Sequence, residues 1–180
     1  MVRVDRYWIA LAWFIFCVMV FLVPKPLKAQ EASVMKLTSP EFENNNFIPE
    51  KFTCEGEGVN PQLDIVDIPS AAKSLALIVD DPDAVSGTFI HWVVFDIPLV
   101  AHVDENSIPG KLGFNDGASL NYTRPCPPSG THRYFFKLYA LNIELNLEEG
   151  ISCKNLLAAM EGHIVGYAEL IGLYKKRSKS

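Results

Sequence analysis

The stretch DDPDAVSGTFIHW sets three carboxylates, Asp80, Asp81 and Asp83, around Pro82 and ends on the pair His91-Trp92. Further along, PCPPSGTHRY brings Cys126, His132, Arg133 and Tyr134 together behind a proline-rich loop. A carboxylate beside an imidazole can accept one ring N–H and so fix the tautomer, leaving the remaining ring donors and loop backbone N–H groups for an anionic ligand. Asp81, His91 and His132 are equally the raw material of an acid–base site in a hydrolase or of a three-ligand metal site. Cys126, six residues before His132, adds a cysteine–histidine reading, whereas no GxSxG elbow is present. Each residue also has a plain structural reading. The aspartates can cap turns beside Pro82, the histidines can be buried rings bonded to carbonyls, and Trp92 and Tyr134 can be core.

Something rigid must position these groups. Ser74–Val79 and His91–Ile97 are short, continuous apolar runs bounded by polar residues and prolines, the pattern of strands buried on both faces. Arg133–Leu141 is a third run. The eleven residues between the first two, 80–90, are too few for a helical crossover, so antiparallel pairing is expected. Asp81 then ends one strand, His91 begins the next and His132 the third, where loops can bring distant residues together. Ser152 is a candidate N-cap for a helix in which Leu156, Leu157, Met160, Ile164 and Tyr167 recur at helical spacing. Gly166 and Gly172 disfavour continuing that helix, so Ala168–Lys176 is expected to return to strand. The expected fold is mainly β, an antiparallel β-sandwich with one or two peripheral helices near the C-terminus.

Composition bounds the rest. A chain of 180 residues, 49% hydrophobic, with 12 prolines and 11 glycines, suits one strand-rich domain over residues 30–180. Residues 1–29 carry Arg3 and Arg6 ahead of the 17-residue apolar run Tyr7–Val23, which Pro24 breaks. They are read as a cleaved export signal, with an uncleaved membrane anchor as the alternative. Without residues 1–28 the chain keeps 12 basic and 20 acidic side chains, a net charge of −8, which argues against nucleic-acid binding. The basic tail Lys175, Lys176, Arg177, Lys179 is read as solvated. Outside the cytoplasm, one pair among Cys54, Cys126 and Cys153 can form a disulfide. Cys54 with Cys126 is favoured, since both lie in Pro/Gly-rich loops whereas Cys153 opens the helix.

The segments DDPDA, HWVVFDIP, GFND and PCPPSGTHRYFFKLYALN, in this order and spacing, resemble the phosphatidylethanolamine-binding protein family. KLTSPEF, FTCEGEGVNPQL and LLAAMEGHIVGYAELIGLY are similar to its bacterial branch, the Raf-kinase-inhibitor-like proteins, so the likeness spans about Met35 to Tyr174. The resemblance implies a small β-sandwich that is not an enzyme, with a shallow pocket for a small anion, phosphate ester or phospholipid headgroup, and control of a protein target. It implies no cofactor or metal. Carried over residue by residue, the pocket comprises Asp81, Pro82, His91, Pro127, His132 and Tyr134, supported by Asp83, Arg133 and Trp92. Arg133 is expected to pair with an acidic side chain of the signature turn, because its planar fork matches a carboxylate. Control of a cytoplasmic kinase is not carried over to an exported chain. Val85 stands where the family has proline, and Asn121-Tyr122-Thr123-Arg124-Pro125 replaces a glycine-rich stretch, so Arg124 is expected to add a cation at the mouth.

Overall fold

The computed structural model describes residues 34–177; the export segment and its anchor alternative lie outside them. Nine strands are present among these residues: β1 Lys36–Thr38, β2 Asn46–Phe47, β3 Leu63–Val66, β4 Ser74–Asp81, β5 Phe89–Ile97, β6 His102–Val103, β7 Lys111–Leu112, β8 His132–Leu141 and β9 Ile164–Tyr174. One α-helix, α1, spans Cys153–Met160, and a 3-10 turn spans Glu50–Phe52. Six strands form a sheet in the order β2-β9-β8-β4-β5-β7, and three form a smaller one, β1-β3-β6. Every pairing is antiparallel except β2 with β9.

The apolar runs follow from how the large sheet is covered. Leu75, Leu77 and Val79 of β4 point one way, with Trp92, Val94, Tyr134, Phe136 and Leu138, into a core closed by Leu37, Leu63, Ile65 and Val103 of the small sheet. Ala76 and Ile78 point the other way, with Val93, Phe95 and Leu141, onto Leu156 and Met160 of α1. Alternate residues of one strand therefore serve two separate cores. All eight residues of β4 are buried. Removing the side chain of Leu77 or Leu138, paired across β4 and β8, would cost about 2–5 kcal/mol.

The helix is shorter than its spacing suggests. Ser152 caps it, its Oγ accepting from Asn155 N at 3.3 Å, and Leu156 and Met160 are buried. The chain then leaves the helix through an extended Glu161 and a left-handed Gly162 at φ +77°. Ile164 and Tyr167 belong to β9, both partly exposed on the sheet paired with β8. Their match to the helical repeat is coincidental, because a turn that glycine adopts readily separates them from Met160.

Candidate functional site

Asp81, His132 and Tyr134 share the inner face of the large sheet at one end, since Val79 and Phe136, two residues from Asp81 and Tyr134, line the same core. His91 arrives differently. Along β4 the partners on β5 run Val79 with Trp92 and then Asp80 with Ile90, which makes His91 the extra residue of a β-bulge. Bulges re-aim side chains next to sites, and this one lets His91 and Trp92 both turn inward from consecutive positions. The groups meet in a cavity of about 600 Å³, walled by the loop Ala84–Phe89, by Thr123 and Arg124, and by Pro127 and Pro128.

The polar contacts set what each ring can offer. His132 gives its Nδ1–H to Asp81 Oδ2 at 2.7 Å, both groups buried, and His91 gives its own to the Thr123 carbonyl at 2.6 Å. Each ring thus keeps Nε2 as its uncommitted nitrogen. Burial lowers the His91 pKa, against the Thr123 carbonyl and the charges of Asp81, Asp80 and Asp116 that raise it. The Tyr134 hydroxyl is buried and has no hydrogen-bond partner among the described residues. Burial first and the Asp81 charge second push its pKa well up, so it remains an O–H donor. Its ring meets His91 edge-on at 5.2 Å, and Phe89 braces the other side at 4.8 Å.

Asp81 fulfils both of its readings at once, because its Oδ1 also accepts from Asp83 N at 2.8 Å and closes the turn. Asp83 takes a two-pronged contact from Arg133, Nε to Oδ2 at 2.8 Å and Nη2 to Oδ1 at 2.7 Å, which holds its carboxyl at about 2. Asp80 faces the opposite side of the sheet, where Lys137 Nζ lies 2.5 Å from Oδ2. Pro82 corrects the expected set: it follows inward-facing Asp81, is exposed, and does not line the cavity. Trp92 lies behind the cavity in the core. Pro127 is buried in the cavity wall.

Cys54 and Cys126 are bonded, their Cα atoms 5.3 Å apart, and Cys153 is free. Cys54 N also donates to the Pro125 carbonyl at 3.0 Å, so the wall containing Cys126 and Pro127 is pinned twice. No three His, Cys, Asp or Glu side chains among the described residues converge as a metal site would require. Sequence reasoning missed Thr123, whose role is carried by its backbone, as well as Phe89 and Asp116.

A family model described as phosphatidylethanolamine-binding protein matches residues 38–175. The chain belongs to this family. A UPF0098 protein of Methanothermobacter thermautotrophicus is 49% identical over 150 residues, which cover 79% of this chain and 99% of the relative. Another, from Pyrococcus horikoshii, is 46% identical over 160 residues, 82% of this chain and 80% of the relative. Among solved structures, a putative phosphatidylethanolamine-binding protein homolog of Chlamydia trachomatis superposes with a TM-score of 0.78 at 42% identity, over 80% of this chain and all but 1% of its own. Escherichia coli YbcL, at 24% identity and a TM-score of 0.74, shares the fold over 81% of this chain and 100% of its own. Arg124 stands at the cavity wall, its aliphatic stem over Gly58. A Cβ at Gly58 would approach Arg124 Cδ to 2.5 Å, so the glycine leaves room for that stem.

Proposed function

We propose that this protein is a non-enzymatic binder whose cavity holds the phosphate of a small ester or lipid headgroup, and that the occupied form acts on a protein partner outside the cytoplasm. The convergence of a buried, unpartnered Tyr134 hydroxyl with two imidazoles already oriented through Nδ1 carries this reading. Tyr134 donates directly, while each Nε2 donates once it holds a proton, and Arg124 supplies a fixed positive charge. The phosphate therefore brings its own proton to the site or draws one from solvent.

Turnover is disfavoured by the same geometry. The Cys126 sulfur is in a disulfide, and no serine or threonine hydroxyl is bonded to either histidine among the described residues, so neither ring has a side-chain nucleophile to activate. The disulfide also supports an oxidising, extracytoplasmic setting. Titrating glycerol 3-phosphate into the full chain in detergent, with calorimetry and a parallel assay for released phosphate, tests the proposal. One site per chain with no phosphate release is expected; steady release, or no binding at millimolar ester, would overturn it.

A further inference from the structure

A second cavity, of about 250 Å³, backs onto the first. The two share a wall: His91 and Thr123 line the first, while their neighbours Trp92 and Tyr122 line the second. The second is completed by Val59, Asn60, Ser107 and Ile108, and none of its lining residues carries a charge. Two donors of its lining residues are buried without partners among the described residues, the Trp92 indole N–H and the Tyr122 hydroxyl. Leaving a buried donor unsatisfied costs its full desolvation, and here two do so side by side, their rings in edge contact at 5.6 Å. Burial pushes the Tyr122 pKa well up, so the phenol stays an O–H donor.

The rim is pre-formed. Asn60 donates to the Asp104 carbonyl at 2.9 Å and accepts from Ser107 N at 3.0 Å, which pins the segment leading to the exposed Ile108. We propose that this cavity is a second ligand site, taking an uncharged small molecule that presents one oxygen acceptor to Trp92 and Tyr122 and an apolar body to Val59 and Ile108. The donors call for an oxygen. The absence of any cation in the lining disfavours an anion, whose lost hydration two neutral donors would not replace. This separates it from the first cavity, where Arg124 and two imidazoles await negative charge.

A matched pair of probes tests the site without reference to phosphate binding. Cyclohexyl methyl ketone and cyclohexanecarboxylate have nearly the same shape and differ in charge. Each is titrated into the full chain labelled with 15N-tryptophan, and the Trp92 indole resonance is assigned from Trp92→Phe. The expected result is a saturable downfield shift with the ketone, at least fivefold weaker apparent affinity in Tyr122→Phe, and no saturable response to the carboxylate. Tyr122→Phe keeps the ring packed on Trp92, so the fold is retained. The site is refuted by an unmoved resonance, by a linear shift equal in the parent and Tyr122→Phe, or by a carboxylate that binds as well as the ketone.

Discussion

His132 and Asp81, 51 residues apart in sequence, are joined through Nδ1 and Oδ2 at 2.7 Å where the first residue of β8 meets the last of β4. Both are buried, so the contact is a charge-assisted bond shielded from water, and it fixes which nitrogen His132 shows the cavity. Asp81→Asn removes that control, because an amide can donate as readily as accept. Calorimetry on the variant should show glycerol 3-phosphate affinity about tenfold weaker, as expected for loss of about 1.5 kcal/mol from a charge-assisted bond. Unchanged affinity would leave the pair structural only.

Acid should act through His91. Burial holds its folded pKa below the ordinary imidazole value of 6.5, so the unfolded chain binds more protons between the two values. The contribution of this group is therefore complete above about 6.5 and is lost as pH falls from there to the folded value. His91→Gln should flatten that part of the stability profile, measured by urea unfolding between about pH 4 and 7.

A bound anion works in the opposite sense, since it favours imidazolium. Sulfate, whose charge stays constant over this range, should bind more tightly as pH falls toward the lowered His91 pKa, with proton uptake visible as buffer-dependent heats. The Thr123 carbonyl, which accepts from the ring, and the charges of Asp81, Asp80 and Asp116 assist the uptake. Sulfate binding independent of pH would contradict the role given to Nε2.

Arg124→Ala should weaken binding of glycerol 3-phosphate several-fold and flatten its salt dependence, because an exposed cation contributes about 0.2–1 kcal/mol and is screened. Arg133→Ala is the comparison: its guanidinium is held by Asp83, so affinity should change less while the turn loses stability. Equal effects would remove the distinction between the two arginines.

Reduction of Cys54–Cys126 should cost about 4 kcal/mol of stability, given the 72 residues that the bond spans. Thermal unfolding with and without dithiothreitol reads the loss. Pro127 lies beside the bond, so ligand affinity should fall with it at temperatures where the reduced chain remains folded.

Much of the architecture was readable because β4, β5 and β8 are covered on both faces, which leaves unbroken apolar runs. The pairing of Arg133 with an acidic residue followed from side-chain chemistry. What escaped has physical reasons. Pro82 faces outward because strand alternation turns it away from the side that Asp81 faces. The bulge that aims His91 depends on pairing register, and Thr123 acts through a carbonyl that every residue possesses. Ile164 and Tyr167 fit a helical repeat across a turn at Gly162 that outweighs it.

A crystal structure of the chain grown with phenyl phosphate tests the central claim most directly. The account predicts phosphate density in the first cavity within hydrogen-bond distance of His91 Nε2, His132 Nε2 and the Tyr134 hydroxyl. Phosphate density elsewhere, or in that cavity without contact to either imidazole, would contradict it.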